Sequence, residues 1–126
     1  MKKVINTTDA PEAIGPYSQA IVTGNLIFVS GQIPLHPFTG ELIIDDITVA
    51  TNLVMENIGS ILTAAGVDYK NIVKTSIFLT DIDDFVEVNE VYASYFEDNF
   101  PARETVQVAA LPKGVSIEIS VIAAKS

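Results

Sequence analysis

A chain of 126 residues amounts to one domain, able to bury roughly two thirds of its unfolded surface around a single core. Its 48% apolar and 18% charged residues describe a folded globular protein, and seven basic against sixteen acidic side chains give a net charge of −9 that opposes a nucleic-acid backbone or an anionic membrane as partner. The absence of cysteine rules out disulfides, a thiolate zinc site and a thiol nucleophile, and the single histidine, His36, leaves no histidine pair for a metal.

Met1-Lys2-Lys3 leads into polar residues rather than an apolar stretch, and no apolar run reaches bilayer length, so a cytoplasmic protein without a membrane partner is expected. The glycosylation sequon Asn6-Thr7-Thr8 is then inert. Residues 18–23 and 26–30 are strand-like and flank Gly24-Asn25, a pair suited to the positive φ values of a tight hairpin. His36 to Gly40 is turn chemistry, after which Asp45 or Asp46 caps a helix running to about Ala65 and stopped by Gly66. Leu53, Ile58, Ile61, Leu62 and Ala65 share one face of it. Residues 72–80 read as a strand. Asp81 to Asp84 then place acids at the first turn of a second helix that ends near Asn99, with Phe85, Val88, Tyr92 and Phe96 as its inner stripe. Finally, residues 102–110 and 115–123 flank Leu111-Pro112-Lys113-Gly114, a four-residue connection that predicts a closing antiparallel hairpin. The expected fold is α+β, a single domain over 1–126 with two helices packed on one face of the sheet.

Strand alternation sorts the closing hairpin onto two faces. Val106, Val108 and Ala110, with Ile117, Ile119 and Val121 across from them, are expected against the helices. Val73, Thr75, Ile77 and Leu79 are expected on the same side. Arg103, Thr105, Gln107, Glu118 and Ser120 then share the opposite, polar face with Lys74, Ser76 and Phe78, and Arg103 and Glu118 bracket a small molecule there. An arginine forks a carboxylate at two points while a neighbouring glutamate moves protons or positions water. A structural ion pair or a solvated sheet face would look the same by spacing alone.

The motifs around this hairpin resemble those of the RidA/YjgF family of enamine and imine deaminases, and the likeness extends over nearly the whole chain. It is carried by Gly15-Pro16-Tyr17-Ser18-Gln19-Ala20, by Val29-Ser30-Gly31-Gln32-Ile33-Pro34 and by residues 57–66. Asn89-Glu90-Val91-Tyr92, Pro101-Ala102-Arg103, Leu111-Pro112-Lys113 and Ile117-Glu118-Ile119 follow in order. The resemblance implies a chorismate-mutase-like subunit with a mixed sheet, a homotrimer with ligand clefts between subunits, and no cofactor. It implies hydrolysis of reactive 2-enamino and 2-imino acids, released by pyridoxal-phosphate enzymes from serine or threonine, to 2-oxo acids and ammonia. Carried over by position, Arg103 holds the substrate carboxylate and Glu118 serves the attacking water. Tyr17, Ser30, Gly31 and Asn89 line the cleft, and the Thr105 carbonyl helps hold the water or the imine nitrogen.

This chain departs from the family pattern at two places. Thr105 stands where many members have cysteine, which removes thiol chemistry and keeps the backbone carbonyl. Glu104 follows the key arginine where a small residue is usual, and alternation sends it to the other face. A non-catalytic small-ligand sensor would use the same cleft with Glu118 expendable for binding. RNA cleavage or translation inhibition, ascribed to some relatives, is opposed by the acidic balance. Outside the motifs, His36 reads as a turn residue at the surface, and Asp81, Asp83 and Asp84 lack the glycine and terminal glutamate of a calcium loop and read as helix caps.

Overall fold

Gly24, in the left-handed region at φ 57°, and Asn25 turn the chain tightly between two strands in the computed structural model, which describes residues 1–125. The elements are β1 (Lys2–Ile5), β2 (Ala20–Thr23), β3 (Leu26–Gln32), α1 (Ile47–Ala64), β4 (Ile72–Leu79), α2 (Phe85–Ala93), β5 (Ala102–Gln107) and β6 (Ile117–Ala124). They form one six-stranded mixed sheet in the order β1-β2-β3-β6-β4-β5. Both helices contribute buried residues to the core on one of its faces. The α+β architecture is as the sequence predicts, with β1 as an addition that its short, lysine-led sequence does not announce.

Helix α1 starts where expected. The Asp46 carboxylate accepts from the Thr48 and Val49 amides, both at 3.1 Å, and Gly66 ends the helix region at φ 85°. Ala50, Val54, Met55, Ile58, Ile61 and Leu62 are fully buried, whereas Leu53 lies at the margin of that face. They pack on Ile77, Leu79, Ile117, Ile119, Val121 and Ala123 of the sheet. Turn chemistry at His36 is also as read: its Nδ1 accepts from the amides of Phe38 and Thr39, and the His36 amide donates to the Glu41 carbonyl.

Three expectations are corrected. Helix α2 ends at Ala93 rather than near Asn99, because the next amides, Ser94 to Phe96, bond three residues back and tighten the chain, and the Ser94 hydroxyl donates to the Val91 carbonyl. Val73 points away from the helices and is 48% exposed, because a bulge between Ile72 and Lys74 makes it the extra residue against β6. The third correction is topological.

The closing hairpin does not form. β5 pairs in parallel with β4, which lies between β5 and β6, and β6 pairs antiparallel with β3 and β4. Residues 108–116, with a short turn at Pro112–Gly114, carry the chain across the end of β4. β4, α2 and β5 are thus a parallel strand–helix–strand unit, and the central place goes to β6, whose alternate residues are all apolar on the helix side. In the parallel register Arg103 lies beside Thr75 and Thr105 beside Ile77, both buried on the helix side. Arg103, Thr105 and Gln107 therefore face the helix layer, and Val106, expected inside, is 41% exposed on the other face.

Replacing the α1 cap, Asp46→Ala, leaves the Thr48 and Val49 amides without their acceptor. It is expected to cost about 1 kcal/mol in urea unfolding with no change in the sheet.

Candidate active site

The expected site residues fall into two groups on opposite faces of the sheet. One group gathers at the β5 edge, on the helix side. Arg103 is half-buried, and its guanidinium carbon lies 5.5 Å from the Phe85 ring centre and 5.2 Å from that of Tyr92. Tyr92 is fixed in turn by donating its hydroxyl to Thr75 Oγ1 at 2.8 Å. Burial raises the Tyr92 pKa, against the opposing effects of that bond and of Arg103, so the phenol stays neutral beside the cation. The two rings form a shelf that holds the guanidinium plane. A cavity of about 430 Å³ opens beside it, lined by Asn89, Tyr92, Ala93, Phe100, Pro101 and Arg103.

Two polar atoms of this group are buried without a hydrogen-bond partner among the described residues: Asn89 Oδ1 and Thr105 Oγ1. Orphan polar atoms are rare in a folded interior, and that of Asn89 accompanies a cation at an open cavity. Asn89, read from sequence as an awkward mid-helix residue, is turned toward that cavity.

The second group lies on the helix-free face, around Glu118. Between Val29 and Gln32 the β3–β6 register shifts, so Ser30 and Gly31 together oppose Ser120. This bulge brings the Gly31 backbone against the Glu118 side chain. A Cβ on Gly31 would fall 2.8 Å from the Glu118 carboxyl carbon and closer still to one of its oxygens. Ser30 donates its hydroxyl to the Ser18 carbonyl at 2.5 Å, which ties the bulge to the segment carrying Tyr17. The resulting cavity, about 570 Å³, is lined by Tyr17, Ser30, Gly31 and Glu118, by apolar Pro11, Ile14, Ile33, Leu35 and Pro112, and by Glu12, Gln19, Gln32 and Lys113. Lys113 holds the left-handed conformation at φ 58° in the turn before β6.

Glu118 has no salt-bridge partner among the described residues, and burial pushes its carboxyl above the usual range. Glu104, on the same face, is held the other way. Ser76 donates a hydrogen bond to it and Lys74 pairs with it at 2.9 Å, and these two contacts lower its pKa. Glu104 thus points away from Arg103, as alternation required.

The sequence expectation that Arg103 and Glu118 share one polar face is overturned. Glu118 is level with Phe78 on β4 and Val106 on β5, so its Cα lies roughly 14 Å from that of Arg103, two strands across and three residues along. Their side chains leave the sheet in opposite directions. Gln19, Gln32 and Lys113 join the Glu118 side unannounced, although all three lie within the motifs of the family resemblance. The alternation of a strand, a helix and a strand through residues 72–107 is the signal that could have placed β5 beside β4.

A sequence profile of the Endoribonuclease L-PSP family matches residues 7–125. The solved structure of the Rid family protein YyfA of Yersinia pestis superposes with a TM-score of 0.97 at 51% identity, covering 99% of this chain and all of that one. The chain belongs to the RidA/YjgF family. Human 2-iminobutanoate/2-iminopropanoate deaminase is 50% identical to it over 123 residues, 98% of this chain and 90% of that protein. Escherichia coli TdcF, solved with bound serine, superposes on this RidA-family chain with a TM-score of 0.94 at 45% identity, covering 98% and 99% of the two chains.

Gly31→Ala is expected to fold, because the obstructed group is a side chain rather than backbone, and to push the Glu118 carboxylate out of its seat. The Glu118 titration followed by carboxyl ¹³C NMR should move down toward the range of an ordinary exposed carboxylate.

Proposed function

We propose that this chain is a deaminase that hydrolyses reactive 2-imino acids and their 2-enamino tautomers to 2-oxo acids and ammonia. It works as a cytoplasmic homotrimer whose clefts join the Arg103 half-site of one copy to the Glu118 half-site of the next. The observation that carries this reading is the separation of an aromatic-backed guanidinium and a half-buried carboxylate onto opposite faces of one sheet. Neither half can both grip and hydrate an imino acid. A second copy docked on the helix-free face supplies the missing half. That face exposes Val4, Leu26, Phe28 and Val106, an apolar surface suited to burial by another subunit, and the family resemblance supplies the number three. The relatives named as imine deaminases support the reaction, and the TdcF structure with serine supports a small amino-acid-like ligand.

The substrate carboxylate takes the fork of Arg103, whose plane the Phe85 and Tyr92 rings maintain. Asn89 Oδ1 and the Thr105 carbonyl accept hydrogen bonds from the imine N–H or the incoming water. Tyr17, Ser30 and Gly31 shape the opposite wall. Water adds its oxygen to C2 as Glu118 takes one of its protons and passes it to the imine nitrogen, and a carbinolamine results. Glu118 then takes the hydroxyl proton and passes it to that nitrogen. The C2–N bond then breaks and ammonia leaves, so imino acid plus water gives 2-oxo acid plus ammonia. An imine carbon is already electrophilic, so orientation and one proton-transfer group suffice without a cofactor.

The base must be ionised, and burial favours its neutral form. Activity therefore falls as pH drops through the raised Glu118 pKa, at a higher pH than an ordinary glutamate would give. Glu118→Gln should lose roughly 10²-fold in hydrolysis of freshly generated 2-imino acid, lose that acidic limb, and still bind a 2-oxo acid in calorimetry. A variant that keeps wild-type rates would remove Glu118 from the mechanism. Tight binding by a protein that hydrolyses no imino acid even unmutated would favour a sensor instead. A basic surface for RNA is absent from the composition, so filter binding at physiological salt should be blank.

The composite cleft has its own test. Arg103→Lys keeps charge but loses the two-point grip, and it should be as inactive as Glu118→Gln. When the two variants are co-expressed, pairing an intact arginine from one copy with an intact glutamate from the next should restore about a quarter of the sites. Complementation absent from verified mixed oligomers would place both groups within one chain.

A further inference from the structure

Most of the walls around Glu118 are irregular chain. One lies in residues 6–19, between β1 and β2, and another in residues 33–35 after β3. Backbone of this kind cannot satisfy its own polar groups, and when it lies against a core it needs partners from elsewhere. Each wall has one buried amide beneath it. Gln19, 2% exposed, accepts from the Thr7 amide at 2.8 Å and donates to the Thr7 and Pro11 carbonyls at 3.0 and 2.8 Å. Asn57, 2% exposed on α1 in the helix layer, donates to the Leu35 carbonyl at 3.0 Å and reaches that of Ile33 at 3.5 Å. Pro11, Ile33 and Leu35 are the apolar lining these bonds hold in place.

We propose that Gln19 and Asn57 are positioning residues for the Glu118 cleft, holding its two irregular walls against the carboxylate and keeping bulk water from it. Neither amide hydrogen-bonds the carboxylate in the structure; Asn57 acts through backbone, and Gln19, itself part of the cavity lining, acts through the Thr7 and Pro11 carbonyls it holds. Their effect is carried by desolvation, the same influence that raises the Glu118 pKa. The other ionisable groups lining the cavity are Glu12, Tyr17 and Lys113, while Phe78 stands across from Glu118 on β4. Lys74 and Glu104 lie farther along the same face, paired with each other. In the proposed trimer, Arg103 of a second copy also faces the cleft. None of these groups changes when an amide is shortened, so a shift at Glu118 reports the walls.

The test uses Gln19→Asn and Asn57→Ser, which keep a polar group and withdraw its reach. Carboxyl ¹³C NMR on the assembled protein should show Glu118 titrating lower, toward the range of an ordinary exposed carboxylate, in each folded variant. With 2-imino acid as substrate, kcat/KM should fall on the order of 10- to 100-fold, mainly through KM, and the acidic limb should follow Glu118 downward. A loss of stability alone would leave that limb in place. Should an amide variant fail to fold, Ile33→Ala thins a wall directly and should lower the Glu118 titration in the same way. Folded variants in which Glu118 titrates as in the unmutated protein overturn the proposal. Only the kinetic arm rests on the deaminase reading. The carboxyl titration needs no substrate, so a chain that hydrolyses no imino acid would defeat that reading while the positioning role was still decided by NMR.

Discussion

β6 is paired on both sides and alternates without exception, with Ile117, Ile119, Val121 and Ala123 buried against the helices and Glu118, Ser120 and Ile122 on the other face. A slip of one residue would expose three large aliphatic side chains, at about 1.5–3 kcal/mol each, and drive a carboxylate into the core. The position of Glu118 is thus dictated by its apolar neighbours in the strand, not by any contact the carboxylate makes. Once β6 is placed, the Ser30–Gly31 bulge has a fixed target, and Gly31 can approach because it has no side chain.

That dependence also explains what could be read in the sequence. The faces of β4 beyond its bulge and of β6, the Gly24-Asn25 hairpin and the Asp46 cap to the Gly66 stop each have a local cause written in a few adjacent residues. The position of β5 has none. An antiparallel hairpin and a strand passing over β4 are equally compatible with the Leu111–Gly114 turn. The polar residues of β5 fit an edge, whereas β4 is apolar at alternate positions and suited to two partners. The bulge at Val73 likewise depends on pairing with β6, which no single strand reveals. Site residues could be named from their motifs, but which side of the sheet each would face depended on which strand lay next door.

The separation of Arg103 from Glu118 has chemical value on the proposed reading. A glutamate paired with an arginine in its own chain would have a lowered pKa and be a poor base, while the arginine would have its fork occupied. Here the guanidinium rests on two aromatic rings and the carboxylate against apolar walls, so each keeps its capacity for a ligand. In the assembled cleft the substrate's own carboxylate comes between them. Glu104 shows the contrast, since its charge is spent on Lys74 and Ser76.

The two outer strands bear on how copies can meet. β1 opens with Lys2 and Lys3, both exposed, and β5 carries adjacent Arg103 and Glu104 on its six residues. Short, charged borders are poor templates for a foreign strand, so the sheet resists being extended from either side into an open-ended ribbon. The route left for self-association is docking on the apolar face of the sheet, which in the proposed trimer receives the Arg103 side of the next copy, and such docking ends when the ring closes. The same borders that discourage fibre growth therefore favour assemblies of finite size.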